Sequence, residues 1–90
     1  MYNIFFTEEA KSVVDRLSAK KKRQIKNAVE RIANRPYIGK RLTQELTGMW
    51  LYRSGDFRII YRIEHKQLFI IILTIGHRKD IYNRISRKQI

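Results

Sequence analysis

The amino-acid sequence reads as an α+β domain, with two amphipathic helices followed by a three-stranded antiparallel sheet. Apolar residues recur at helical spacing through Ala10, Val13, Val14 and Leu17, and again through Ile25, Ala28, Val29 and Ile32. From Met49 onward they alternate by two, interrupted by the turn signal Ser54-Gly55-Asp56. The first spacing marks one face of a helix and the second one face of a strand, so helices come first and sheet second. At 90 residues the chain is one domain, residues 1–90, with a single modest core.

Each element has its own local reason. Residues 2–6, with Ile4, Phe5 and Phe6, are a short apolar run that reads as a first strand. Thr7 offers a hydroxyl cap, and Glu8 and Glu9 place negative charge where the first helix dipole favours it. Ser18 caps a second helix that runs to about Asn34, because Pro36 disfavours helical geometry at Arg35. Residues 37–48 read as connection, punctuated by Gly39 and Gly48. Residues 49–53 and 57–64 form a hairpin across Gly55-Asp56, and His65-Lys66 turns the chain into a strand over 67–75. Asp80 caps a last short helix through Ile85, ahead of a basic tail. The order is β-α-α-β-β-β-α, with the helices packed on one sheet face.

Composition narrows the function classes. Twenty Lys and Arg against eight Asp and Glu leave a net charge of +12. Such a field favours a polyanion, nucleic acid or ribosome, or an acidic protein partner. The longest apolar run, Leu68 to Ile75, is eight residues, a buried strand and not a membrane span. Met1-Tyr2-Asn3 lacks the basic start of a secretory signal, so a cytoplasmic location is expected, in keeping with the absence of cysteine. Disulfides and thiolate metal sites are excluded, and two histidines without close spacing point away from zinc; no cofactor is expected.

Alternation along the hairpin sorts its arginines. Phe57, Ile59, Tyr61 and Ile63 point toward the helices, and Arg58, Ile60 and Arg62 point the other way. With Gly55 and Asp56 as the two loop residues, Arg53 pairs with Arg58 on one face. Two guanidiniums held opposite one another repel unless an anion lies between them, so this face is a candidate phosphate site to which Arg62 adds. A solvated, solubilising face is the alternative. His77 and Arg78 follow Gly76, whose freedom to turn is expected to aim both over the open face. Tyr82 lies four residues beyond Arg78, placed either to stack on a base or to pack with Ile81 and Ile85. Lys20, Arg23, Lys26 and Arg31 form a basic stripe on the second helix, extended by Lys40 and Arg41. That stripe is either a solvated face or a surface for RNA phosphates.

Taken in order, the paired helices, Leu46-Thr47-Gly48, the hairpin R-S-G-D-F-R-I-I-Y and the ending G-H-R-K-D-I-Y resemble toxins of the RelE/ParE superfamily of type II toxin–antitoxin pairs. The resemblance covers nearly the whole chain and is greatest to the RelE branch. It implies a compact, twisted, mainly antiparallel sheet with helices on one face. It also implies a ribosome-dependent endoribonuclease that cuts messenger RNA at the decoding site without a metal. The ribose 2′-hydroxyl attacks its neighbouring phosphate, which requires a base, charge stabilisation and an acid for the leaving oxygen. Catalytic positions carry over to Arg53, Arg58, Arg78 and Tyr82. His77 joins them as the nearby group whose side-chain type titrates near neutrality. Family members often carry a basic residue just before the position of Arg53, where this chain has Met49, Trp50, Leu51 and Tyr52. A cognate acidic antitoxin is implied as partner, setting the oligomeric state; an apolar seam that includes Ile81 and Ile85 is its expected docking place. Two other readings stand beside the nuclease: a ParE-like gyrase inhibitor acting by protein contact, and an RNA-binding module that blocks translation without cutting.

Overall fold

Thr7 joins the first strand to the first helix in the computed structural model, which describes residues 1–77 and Ile81. Strand β1 (Asn3–Phe6) ends at Thr7. The Thr7 hydroxyl then accepts the Ala10 N–H at 3.2 Å and caps α1 (Glu8–Asp15). Ser18 caps α2 (Ala19–Asn34) in the same way, accepting the Lys21 N–H at 3.3 Å. Helix α2 stops at Arg35, whose φ of −139° and ψ of 80° are no longer helical, ahead of Pro36.

The three expected strands are β3 (Trp50–Ser54), β4 (Phe57–Glu64) and β5 (Phe69–Gly76). The segment expected to be plain connection holds a two-residue edge strand, β2 (Lys40–Arg41), between 3₁₀ turns at Pro36–Ile38 and Gln44–Leu46. Sheet order is β1-β5-β4-β3-β2, with β1 parallel to β5 and every other pair antiparallel. Both edges are short, which limits sheet-to-sheet aggregation. The last strand starts later than expected because the turn extends through Leu68, which takes a φ of 56°.

Helices α1 and α2 cover one sheet face. Ile25, Ala28, Val29 and Ile32 pack there on Phe57, Ile59, Tyr61 and Ile63 of β4 and on Ile70, Ile72 and Ile75 of β5. The opposite face, expected to be open, carries a second small core of Met49, Leu51, Ile60 and Ile81, flanked by Leu42, Leu46 and Leu73. Ile81 is fully buried in it, so this one residue of the seam expected to dock a partner is interior. Ile85 and the rest of the expected last helix lie outside the described residues.

Strand β5 contains a bulge. Ile60 pairs with Thr74 while the next residue, Tyr61, pairs with Ile72, which leaves Leu73 as an extra residue. One extra residue inverts the in–out pattern beyond it. Ile70 and Ile72 meet the helices before the bulge, and Ile75 meets them after it. The Leu73 carbonyl accepts the Thr7 hydroxyl at 2.7 Å, and the Thr7 N–H donates to the Ile72 carbonyl at 3.1 Å. One threonine therefore caps α1 and supplies the bulge with a partner.

Tyr61 ties the connection to the sheet. Its buried hydroxyl donates to the Pro36 carbonyl at 2.7 Å and accepts the Gly39 N–H at 3.2 Å. Gly39 must stay glycine here, since a Cβ would lie 2.6 Å from both the Leu51 carbonyl oxygen and the Tyr61 hydroxyl. Burial pushes the Tyr61 phenol up to about 12, a rise that the Gly39 hydrogen bond partly offsets.

Tyr61→Phe leaves the Gly39 N–H and Pro36 carbonyl without their partner and costs about 1–2 kcal/mol at neutral pH. Because folding raises this phenol, its stabilising contribution is complete below about 10 and is lost as pH rises toward about 12. Urea unfolding of both proteins across that range should show their stability difference shrinking as pH rises. Thr74 is fully buried and its hydroxyl has no hydrogen-bond partner among the described residues. Thr74→Val should therefore raise stability by about 1 kcal/mol in the same assay.

Candidate functional site

The hairpin turn is built as its residues require. Gly55 takes a φ of 59°, the left-handed conformation glycine adopts without penalty, at the first of the two loop positions. The resulting register sets Arg53 directly opposite Arg58 and Ser54 opposite Phe57, as the alternation predicts. Arg53 is exposed and Arg58 is half-buried. Gly76 of β5 lies on the other side of Arg58 in register, and the Arg58 Nη1–H donates to the His77 carbonyl at 2.9 Å. One guanidinium is thus anchored at the strand end while its partner faces solvent, with two like charges across one pair of strands. An anion bound to both would relieve their repulsion and receive charge-assisted hydrogen bonds.

Helix α2 braces the turn. The Gln24 amide donates to the Ser54 carbonyl at 2.9 Å and reaches the Ser54 hydroxyl at 3.5 Å. Lys20 lies one helical turn before Gln24 on the same face, which brings the start of the basic stripe toward the hairpin end. Lys20, Arg23, Lys26 and Arg31 are all exposed.

Other candidates fall elsewhere. Arg62 shares the face of Arg58, but buried Ile60 lies between them and places the two about 13 Å apart along the strand. The expected trio of arginines is therefore a pair. His77 is exposed, but its ring packs on Phe57, with centroids 4.3 Å apart, and Phe57 belongs to the helix-facing core. Its imidazole is on the wrong side of the strand to sit over the arginine pair. The bulge at Leu73 is the reason, because it reverses which residues of the strand end face the helices. Gly76 also does not make the expected turn; it is the last residue of β5. Lys40 and Arg41 divide between the faces, Lys40 with Leu51 and Arg41 with Trp50. Arg78 and Tyr82 lie outside the described residues.

The family model described as ParE toxin of type II toxin-antitoxin system, parDE, matches residues 4–82. The chain belongs to this toxin family. Toxin RelG of Mycobacterium tuberculosis is 43% identical over 47 residues, a match that spans 52% of this chain and 54% of RelG. The chain thus aligns with about half the length of that curated relative. Among solved structures, the toxin–antitoxin complex RelBE2 of Mycobacterium tuberculosis superposes with a TM-score of 0.71 at 30% identity, covering 86% of this chain and 98% of that one. The isolated RelE toxin of E. coli superposes over 100% of both chains with a TM-score of 0.73. At 15% identity that likeness concerns the fold alone.

Two features of this toxin escape a residue-by-residue reading of the sequence. Gln24 lies within the stripe of basic residues, and nothing local marks it as the brace of a turn thirty positions on. The second is a cluster at the far end of the hairpin, where Tyr37, Trp50 and His65 come together from the connection, β3 and the turn after β4. Tyr37 and His65 are nearly parallel, inclined by 16°, and joined by a 3.0 Å hydrogen bond between the Tyr37 hydroxyl and His65 Nδ1. Tyr37 meets Trp50 edge-on at 5.4 Å. Each of the three reads singly as a loop or packing residue, and only the tertiary fold joins them.

The brace can be tested without touching a charged group. Gln24→Met keeps the length and helix propensity but removes the hydrogen bond to Ser54, at a cost of about 1 kcal/mol. Hydrogen exchange should accelerate at the turn amides of residues 54–57 and remain slow through α2.

Proposed function

We propose that this toxin is a ribosome-dependent endoribonuclease that cuts messenger RNA at the decoding site. The observation that carries the reading is the opposed pair Arg53 and Arg58, with Arg58 anchored to the His77 carbonyl at 2.9 Å. A toxin acting by protein contact alone has no need to hold two guanidiniums in register. In the proposed reaction the ribose 2′-oxygen forms a bond to the adjacent phosphorus as the bond to the 5′-oxygen breaks. The 2′-hydroxyl gives its proton to a base, and the 5′-oxygen takes one from an acid. The products are a 2′,3′-cyclic phosphate and a free 5′-hydroxyl. Arg53 and Arg58 stabilise the charge that develops on the pentacoordinate phosphate, which is where preorganised donors contribute most.

Arg78 and Tyr82 are proposed to complete the site, the first on the phosphate and the second by stacking or proton transfer. His77 enters this proposal mainly through its backbone carbonyl, which positions Arg58. The basic stripe of Lys20, Arg23, Lys26 and Arg31 is proposed to dock on ribosomal RNA phosphates. The solved complexes RelBE2 of Mycobacterium tuberculosis and RelE–RelB of Pyrococcus horikoshii pair related toxins with antitoxins. A cognate acidic antitoxin that covers the basic surface is proposed here on the same pattern, in keeping with the +12 charge. The ParE description of the matching family favours a second reading, inhibition of gyrase by protein contact.

Cleavage of a defined messenger on programmed ribosomes, with the new ends mapped, separates these readings. Cuts at the decoding-site codon, absent from free messenger, are expected from the wild-type protein. Arg58→Ala should lower the rate by about 10²–10³-fold. His77→Gln, which keeps the carbonyl, should have a small effect. Growth arrest in cells without any new messenger ends would reject the nuclease reading in favour of the gyrase-directed one.

A further inference from the structure

Tyr37 is 58% exposed, an unusual position for a large aromatic ring that is nevertheless held in place on two sides. The hydrogen bond to His65 fixes its plane, and the edge contact with Trp50 fixes its tilt. These rings line a cleft of about 440 Å³ together with Arg41, Met49 and Ile63. The Arg41 guanidinium lies 6.0 Å from the Trp50 ring centroid, at the outer limit of a cation–π contact.

We propose that this cleft binds one unstacked RNA base on the Tyr37–His65–Trp50 surface, with Arg41 on the adjoining phosphate. Ring faces recognise any base by stacking, and an arginine at the rim supplies the backbone charge, which is how single-stranded nucleic acid is held without sequence readout. The volume suits a small ligand and is far too narrow for a duplex. Fixed rings lose little freedom on binding, which adds to affinity. Arg41 argues against a cationic ligand, which an aromatic cluster would otherwise attract. Trp50 packs on the helix-facing side of the sheet about 10 Å along β3 from Arg53, so the cleft is a second RNA contact and not part of the arginine pair. The base comes from either messenger or ribosomal RNA. The proposal rests on the RNA-directed reading above, although its test does not require cleavage.

Trp50 is the sole tryptophan, so its fluorescence reports on this cleft alone. The probe is a 2′-O-methylated hexaribonucleotide of mixed sequence, which lacks the attacking hydroxyl. Quenching of Trp50 on titration, weakened about tenfold by Tyr37→Leu and by His65→Ala, supports a messenger base. No quenching by the hexamer, together with about tenfold weaker cosedimentation of Tyr37→Leu with empty ribosomes, supports a ribosomal base. Unchanged fluorescence with the hexamer and unchanged ribosome binding of Tyr37→Leu overturns the proposal, as does quenching by an acidic peptide alone. Arg58→Ala is the control: it should lose cleavage and keep the Trp50 response. A wild-type protein that quenches but does not cut therefore rejects the nuclease reading and leaves this site standing.

Discussion

Burial of the central strand on both faces is the constraint from which the rest of this small domain follows. Strand β4 sends Phe57, Ile59, Tyr61 and Ile63 into the core beneath the helices and Ile60 into the core on the other side. A strand sandwiched in this way has no room for charge at its middle, so its arginines are displaced to either side of Ile60. Arg58 then falls next to the hairpin turn, where antiparallel register supplies Arg53 as its opposite and β5 ends nearby. The charged pair is a consequence of how the apolar residues are spent. A domain of 90 residues has little core to spare, and this one divides it in two without leaving the sheet open.

Much of this was legible in the sequence. The two capped helices, the hairpin and the opposition of Arg53 to Arg58 all depend on local rules of period, cap and turn, and those rules act within a few residues. Strand β2 was not legible, because two exposed basic residues have no apolar alternation to reveal them. The bulge was not legible either. Leu73 sits in an unbroken apolar run, and nothing in that run marks which residue is extra. Its partner is Thr7, whose hydroxyl donates to the Leu73 carbonyl across most of the chain. The placement of His77 was wrong for the same reason. Its side of the strand is set four residues earlier, by a bulge with no local signature.

The molecule's basic surface is not a uniform coat. Lys20 lies near the braced hairpin end, whereas Arg41 lies at the aromatic cleft on the opposite end of β3, and Arg62 sits apart beyond the second core. Charges spread in this manner give an attractive field at long range but distinct local environments on contact. One is a like-charged pair against backbone carbonyl, and the other a single guanidinium beside fixed rings. Substitutions at the two ends should therefore be separable, because no side chain is shared between them.

The pairing of β1 with β5 carries a consequence for the cell that makes this toxin. Thr7 and Leu73, joined by a hydrogen bond, are 66 residues apart, and β4 is flanked on one side only until β5 is present. Synthesis proceeds from the N-terminal end, so β1 and both helices leave the ribosome's exit tunnel well before their sheet partner does. Arg58 gains its carbonyl anchor only when residue 77 emerges. Until then the nascent chain has the charges without the geometry. A topology that joins β1 to β5 thus delays assembly of the arginine site until most of the chain has left the machine that builds it.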